Sequence, residues 1–263
     1  MKKMLAIFLT LVTFVSCDKN NEEFSTQTSV KGTLSLNTQA TWENEPDAIS
    51  RANADNTPIT YTFEAWSHDA VPRCVLHATA TGTLAGAAIE IALVPGNYDF
   101  LFWADSGREY YDTENLRQVK IATTSYTSPA DDSRDAFAGV LTGITWKGGS
   151  GTGITLLRPL AKLQLQNNAP FATEHETVKA VYRNTPTRYD VLTGKTSEPQ
   201  AIEVSFPKVN AGTTSAGMDF LFPISGQGTA IGLETTVDGV EKRLDVLPLH
   251  TNYITKVTAK FGE

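Results

Sequence analysis

Cysteine, histidine and basic residues are all scarce in this sequence of 263 residues. Its two cysteines exclude a disulfide-rich scaffold and a zinc-ribbon site, because both need more of them. Lys and Arg number 22 against 29 Asp and Glu, which gives a net charge of −7. This acidic balance argues against a nucleic-acid partner, because binding to phosphates depends on Lys and Arg.

Long helical patterns are also missing, since no segment keeps a clean hydrophobic period of 3.6 residues. The chain instead contains 35 threonines, 19 glycines and 12 prolines, a composition that favours strands joined by turns. Val30, Gly32, Leu34 and Leu36 alternate with polar residues, which predicts a half-buried strand that could extend to Trp42. Comparable strand-like runs recur along the rest of the chain.

The first 16 residues have the pattern of an export signal. Lys2 and Lys3 precede an uncharged run, residues 4–15, that suits a signal peptide but is too short to cross a bilayer. The run ends in Ser16-Cys17, which resembles the lipobox of bacterial lipoproteins, and acidic residues follow. We therefore expect lipidation at Cys17, with an unmodified secreted protein as the alternative.

Strand number and spacing predict an all-β fold with two antiparallel β-sandwich domains in tandem, and a single larger barrel is the alternative. The glycine-rich residues 147–153 are expected to form a flexible connection before a strand at residues 154–166. Asp238-Gly239 predicts a type I′ hairpin turn. The expected divisions are a signal peptide at residues 1–16, a lipidated tether at 17–29, an N-terminal β-sandwich at 30–150 and a C-terminal β-sandwich at 151–263.

Motifs for catalysis or metal binding do not assemble in the sequence. The four histidines lack metal-ligand spacing, and the glycine-rich connection lacks the context of a nucleophile elbow. Asp131, Asp132 and Asp135 could hold Ca²⁺, but their spacing is not that of an EF-hand, and a solvated loop is the favoured interpretation. We therefore expect no enzyme activity, no metal ion and no cofactor.

Two further groups have a structural and a functional interpretation. Trp103, Tyr110 and Tyr111 could form an aromatic platform for a sugar, although packing in the core or at the rim of a sandwich is favoured. Cys74 lies inside a predicted strand, where a small apolar core residue is expected rather than a nucleophile.

Four features together resemble the fimbrillin-like lipoproteins of Bacteroidales, which are the subunits of type V pili. They are the Lys-Lys signal with Cys17 and three strand motifs, Gly96-x-Tyr98-x-Phe100-x-Phe102-Trp103-Ala104, Leu157-Arg158-Pro159-Leu160-Ala161-Lys162-Leu163 and Asn252-Tyr253-Ile254-Thr255-Lys256-Val257. The resemblance implies transthyretin-like sandwiches and a surface-exposed lipoprotein of the outer membrane. After processing, such a protein becomes part of a fimbrium.

The resemblance also implies a mechanism. A protease, often Arg-specific, cuts after the first strand, and a segment of the next subunit fills the groove that the strand leaves, which is donor-strand addition. On this basis Val30, Leu34 and Leu36 are the core residues of the removable strand. The polar residues 43–56 have the profile of an exposed loop, and their one basic residue, Arg51, is the expected cleavage site. A solvated Arg51 without this role is the alternative.

The expected function is therefore a surface lipoprotein precursor of a pilus subunit. Its expected partners are other pilin subunits, outer-membrane lipid through Cys17, a processing protease and a ligand on a host or bacterial surface. The alternative is a lipid-anchored protein that never polymerises, either a pilus anchor or tip, or a glycan-binding lipoprotein.

Overall fold

A computed structural model describes residues 14–15, 28–45, 58–226 and 228–263 of the chain. Strands make up 59% of the structure and helix 3%, which confirms the predicted all-β class. The helical content that the structure describes comprises two short 3-10 helices, Leu116–Gln118 and Asp132–Arg134. The described residues contain no helix that is long and apolar enough to cross a membrane.

Two sheets form the first sandwich. One has the order β1-β4-β3-β6-β10, and all of its pairings are antiparallel. Its strands are β1 (Phe14–Val15), β3 (Ile59–Ser67), β4 (Cys74–Gly82), β6 (Gly96–Asp105) and β10 (Ala136–Trp146). The second sheet has the order β11-β2-β5, with β2 (Val30–Thr38) between β5 (Ala87–Leu93) and β11 (Gly149–Leu156).

Two further sheets form the second sandwich. The smaller has the order β15-β12-β18, from β12 (Ala161–Asn167), β15 (Ser215–Leu221) and β18 (Ile254–Ala259). The larger has the order β17-β16-β13-β14-β9, and β8, which pairs with β7, adds to β13. Its strands are β7 (Tyr111–Asp112), β8 (Val119–Ile121), β9 (Ser125–Thr127), β13 (Val178–Asp190), β14 (Lys195–Phe206), β16 (Gly232–Val237) and β17 (Val240–Leu244).

Three of the described strand pairs, β2–β11, β12–β18 and β9–β14, are parallel, so the sheets are mixed rather than purely antiparallel. The predicted hairpin at Asp238-Gly239 joins β16 to β17, and both residues have positive φ, as a type I′ turn requires. Separate sheets around two hydrophobic clusters favour the tandem sandwich over the single barrel.

Strand β6 connects the two hydrophobic clusters. Phe100 and Phe102 point into the cluster inside the first sandwich, whereas Leu101 and Trp103 belong to the cluster of the second. Successive side chains of a strand point to opposite faces, so a strand that is apolar at every position is buried on both sides. The first sandwich therefore packs one face of its larger sheet against the second half of the chain.

The strand predicted at residues 154–166 is wrong, because the structure divides this segment into two strands that belong to different sandwiches. Strand β11 pairs with β2 in the first sandwich, and β12 pairs with β15 and β18 in the second. Pro159, which has no N–H to donate, lies in the four-residue break between them. The glycine-rich segment expected to be a flexible connection forms the start of β11, so the expected boundary at residue 150 lies within a strand of the first sandwich.

Candidate functional site

Strand β2 is the middle strand of its sheet, with a hydrogen-bonded neighbour on each side. It pairs antiparallel with β5, from Val30 opposite Leu93 to Leu36 opposite Ala87. It pairs parallel with β11 on its other edge. The strand is connected to the remainder of the described fold by residues 46–57, which include Arg51 and lie outside the described residues.

Two leucines anchor β2 in the first sandwich. Leu34 and Leu36 are each 1% exposed and belong to its hydrophobic cluster, while Val30 is half-buried against the same cluster. Ser35, between the leucines, is exposed on the outer face. At about 1.5–3 kcal/mol for each buried side chain, the two leucines contribute about 3–6 kcal/mol to holding the strand.

A glycine sets a steric limit at the beginning of β2. A Cβ atom at Gly32 would lie 2.3 Å from the Trp146 ring and 2.1 Å from the carbonyl oxygen of Gly149. By contrast, a Cβ atom at Gly153 would meet only the carbonyl oxygen of Ser35, at 3.7 Å. The close approach of Trp146 therefore leaves room for a glycine only at position 32.

The residues after β2 cross to the second sandwich. The Glu43 N–H donates to the Asn252 carbonyl at 3.0 Å, and Glu45 pairs with Lys256 at 2.6 Å. The Asn44 side chain bonds both backbone groups of Ile254, each at 2.9 Å. Residues 43–45 thus lie along β18, and the N-terminal segment is held by both sandwiches.

The region where residues 39–45 cross from the first sandwich to the second is the junction of the two sandwiches. Arg158 lies at its centre and is 1% exposed. Its guanidinium donates five hydrogen bonds, two to Asp135 at 2.7 and 2.8 Å and one to Asn252 at 2.5 Å. The other two reach the carbonyls of Ala40 at 3.1 Å and Thr41 at 3.3 Å. Five N–H groups are all that a guanidinium has, so every donor of this buried cation is satisfied, two of them by the N-terminal segment.

Trp42 covers the same guanidinium. Its ring centroid lies 3.7 Å from the Arg158 Cζ atom, a cation–π contact, and 6.2 Å from the ring of Phe220. The indole is 2% exposed and belongs to the cluster of the second sandwich. The prediction that the first strand could extend to Trp42 is wrong, because β2 ends at Thr38.

Carboxylates of the segment 131–135 pair with the basic residues of the Leu157–Leu163 motif. Asp135 binds Arg158, and Asp132 accepts a hydrogen bond from Lys162 at 2.7 Å. Both aspartates are buried and bind cationic side chains, so the predicted solvated loop is wrong for them, whereas Asp131 is exposed. Burial raises the pKa of Asp135 above its ordinary value, while the charge and hydrogen bonds of Arg158 act in the opposite direction.

A third buried pair joins the same segment to β15. Arg134 Nε lies 3.3 Å from Asp219 Oδ1, and the guanidinium stacks 3.8 Å from the centroid of the Tyr126 ring. The Tyr126 hydroxyl donates to Asp219 at 2.7 Å. Burial raises the pKa of Asp219, and Arg134 opposes that rise. Three ion pairs, at Asp132, Arg134 and Asp135, therefore hold this segment, and breaking any one would leave a buried charge without its partner.

The aromatic residues considered as a sugar platform pack in the interior. Trp103 and Tyr111 are buried, with ring centroids 5.3 Å apart, and both contact Phe222. Tyr110 is partly buried above Arg134, 5.0 Å from its Cζ atom. These side chains therefore pack within the fold, as the favoured interpretation predicts, rather than forming a platform for a sugar.

The histidines do not cluster in the structure. His68, His77 and His175 each lie within 3.0 Å of one carboxylate. In the last of these pairs, the hydrogen bond from the Thr177 N–H, together with that of His175, lowers the pKa of Asp238. In the part of the chain that the structure describes, no three His, Cys, Asp or Glu side chains are placed to hold a metal ion.

The structure describes one of the two cysteines, Cys74. Cys74 lies at the start of β4 and is half-buried, with its Sγ 3.5 Å from the carbonyl oxygen of Leu76, so it is less buried than expected. Cys17, the expected lipidation site, lies outside the described residues, as does Arg51. The local sequence does not identify Arg158 as the junction residue, because its partners Asp135 and Asn252 are distant in the chain.

The solved structures that are similar to this fold include three that are described below, all at low sequence identity. A candidate polysaccharide-binding protein from Bacteroides thetaiotaomicron has a TM-score of 0.56 and 11% identity, over 81% of this chain and 78% of that protein. A candidate adhesin from Bacteroides ovatus has a TM-score of 0.52 and 8% identity, over 82% and 78%. The tip fimbrial protein Mfa3 from Porphyromonas gingivalis, truncated at its C-terminus, has a TM-score of 0.50 and 12% identity, over 84% and 82%.

At these identities the similarity concerns the fold alone. No curated protein is significantly similar to the chain in sequence. The profile of a family of unknown function, DUF6562, matches residues 25–261, which is nearly the whole chain. The chain therefore belongs to the DUF6562 family.

Proposed function

We propose that the chain is the precursor of a fimbrial subunit, matured by removal of its N-terminal strand and polymerised by donor-strand addition. The observation that carries the proposal is the position of β2, a middle strand whose Leu34 and Leu36 fill the first hydrophobic cluster. A single cut within residues 46–57 would separate this strand covalently from β3 and all that follows. Arg51 is the basic residue in that segment and the proposed cleavage site.

Departure of β2 supplies the driving force for assembly. Both β5 and β11 would lose a hydrogen-bonded neighbour, and the first cluster would lose the two leucine side chains. An extended segment of another subunit restores the backbone hydrogen bonds and refills the apolar positions. The same interactions that hold β2 in the precursor would then hold neighbouring subunits together.

Delivery to the cell surface is part of the proposal. The signal pattern of residues 1–16 and the lipobox-like Ser16-Cys17 support a lipid anchor in the outer membrane, with the sandwiches exposed outside. Stable anchoring needs more than one acyl chain, which the tri-acylation of lipoproteins provides. Replacement of Cys17 by Ala should move the protein from the membrane fraction to the soluble fraction. A Cys17→Ala protein that stays in the membrane fraction would overturn this part of the proposal.

Incubation of the precursor with an Arg-specific protease tests the proposal. We expect loss of the residues up to Arg51, followed by high-mass species that resist mild denaturant. Arg51→Gln should remain uncut and monomeric. Arg73→Gln is the matched control, because Arg73 is exposed in another loop, and it should assemble like the unmodified precursor. A precursor that is cut after Arg51 but stays monomeric would refute assembly by strand exchange.

A protein that keeps β2 and does not polymerise is the second candidate function. The contacts of residues 43–45 with the second sandwich favour it, because they hold the N-terminal segment independently of β2. Such a protein would be a pilus anchor or tip, or a glycan-binding lipoprotein. Two of the similar structures are described as a fimbrial tip protein and a candidate polysaccharide-binding protein, which agrees with this role. A monomer after complete cleavage would favour it.

A further inference from the structure

The N-terminal segment occupies two separate positions in the fold. Leu34 and Leu36 belong to the cluster of the first sandwich, and Trp42 belongs to the cluster of the second. The chain between them runs past Leu156, whose carbonyl accepts a hydrogen bond from the Gln39 N–H at 2.9 Å. The site left by this segment would therefore extend beyond the sheet of β2 to the junction of the two sandwiches.

The junction end of this site would be chemically incomplete without its occupant. Arg158 would lose the carbonyls of Ala40 and Thr41, which accept two of its five hydrogen bonds. It would also lose the indole of Trp42, which covers its guanidinium at 3.7 Å. A buried cation with unpaired donors is costly, so this end of the site favours an occupant with an aromatic ring and two backbone carbonyls at the same places.

The other end of the site restricts the occupant by size. Trp146 and the Gly149 carbonyl leave no room for a side chain at position 32. The two ends together fix a spacing, in which a glycine is followed by apolar residues two and four positions later and by an aromatic residue ten positions later. In this sequence residues 32–42 alone satisfy all four positions, with Gly32, Leu34, Leu36 and Trp42.

We propose that the strand-binding site selects an extended segment of a partner subunit with this spacing, and that Arg158 selects its aromatic residue. The inference rests on the proposed function, because it describes the segment that replaces β2. It adds a second anchor, the contact of the aromatic residue with Arg158 at the sandwich junction. A contact outside the sheet that the strand joins therefore selects the partner. No segment after Arg51 in a second copy of this chain matches all four positions, so self-assembly uses a segment without the second anchor, which is held less tightly. The segment that matches all four positions belongs to a different partner subunit.

Synthetic peptides test the selection on a folded protein. The full chain receives a recognition site for a site-specific protease within residues 46–57 and is cut there. Fluorescent peptides of residues 28–45 are then titrated in four forms: unmodified, Trp42→Ala, Trp42→Phe and Ser35→Ala. Because every substitution is in the peptide, no result depends on the folding of a variant protein.

The unmodified peptide should exchange with the cut segment and stay bound. Trp42→Ala should bind at least about 100-fold more weakly, as expected for the loss of a buried Trp side chain. Trp42→Phe should remain within about 10-fold, because its ring keeps the cation–π contact. Ser35→Ala, at an exposed position, should remain within about 3-fold. Equal binding of the Trp42→Ala and Ser35→Ala peptides would overturn the inference.

A second measurement covers the case in which the cut segment does not exchange. The same substitutions are then made in the full chain, and release of the labelled N-terminal segment after cutting is followed in increasing urea. Trp42→Ala should release it at a lower urea concentration than Ser35→Ala, and coincident release curves would refute the second anchor. If the proposed function fails, the cut protein does not assemble, but binding of the N-terminal segment still depends on Trp42. Its failure is therefore distinguishable from failure of this inference.

Discussion

Replacement of either buried leucine of β2 by alanine should lower the free energy of unfolding of the precursor. Leu34→Ala and Leu36→Ala each remove a side chain that is 1% exposed, inside the cluster between the two sheets of the first sandwich. The substitutions leave the backbone pairing with β5 and β11 available. Any loss of stability therefore reports the apolar anchoring of the strand rather than its hydrogen bonds.

The expected magnitude follows from the burial. Truncation of a fully buried Leu to Ala costs about 2–5 kcal/mol, which includes the transfer free energy of the removed atoms and the cavity left behind. Ser35→Ala is the matched control on the same strand, because Ser35 points outward, and it should change the free energy of unfolding by less than about 0.5 kcal/mol.

Urea unfolding of the uncut precursor measures these differences. Intrinsic tryptophan fluorescence follows the unfolding, and Trp146, whose ring is buried in the same cluster as the two leucines, contributes to the signal. We expect both leucine variants to unfold at lower urea concentration than the control, with an unchanged dependence on urea. Leucine variants that are as stable as Ser35→Ala would show that β2 is held by its backbone alone and would refute the apolar anchoring.

Three other substitutions test the junction, the tight glycine and an exposed carboxylate. Arg158→Met should cost about 3–5 kcal/mol, since it leaves Asp135 buried and unpaired, and adding Asp135→Asn should recover part of that loss in urea unfolding. Gly32→Ala should cost about 1–3 kcal/mol, whereas Gly153→Ala, where a Cβ has space, should cost little; equal effects in thermal unfolding would contradict the steric argument. The lowered pKa of Asp238 means that its contribution to stability is present above the ordinary value of 3.8 and is lost as the pH falls through the lowered pKa. The stability difference between the unmodified chain and Asp238→Asn should therefore vanish in acid, which unfolding measured across pH would show.

The strands whose sequence alternates could be predicted because their pattern is local. The period of two at residues 30–36 and the Asp-Gly turn of β16–β17 both depend on neighbouring residues only. Most of strand β11 could not be predicted because five of its eight residues are glycine or threonine without apolar alternation, and its formation depends on pairing with β2. Short strands such as β9 likewise exist through their partners.

The junction could not be predicted because its residues are far apart in the sequence. Arg158 binds Asp135, 23 positions away, and Asn252, 94 positions away. Nothing in the local pattern of Asp132 and Asp135 distinguishes a solvated loop from a pair of buried salt bridges. Trp42 follows the parity of β2, and only the fold shows that it lies in the other hydrophobic cluster.

A reversible disulfide between β2 and β5 tests most directly whether departure of β2 drives assembly. Ser35 and Ala88 are cross-strand partners on the exposed face, so cysteines at both positions, with Cys17 and Cys74 replaced by Ser, can be oxidised without disturbing the core. After cleavage within residues 46–57, the oxidised protein should remain monomeric with its N-terminal segment attached, and reduction should start polymerisation. Polymerisation of the oxidised protein at the rate of the reduced one would contradict the account.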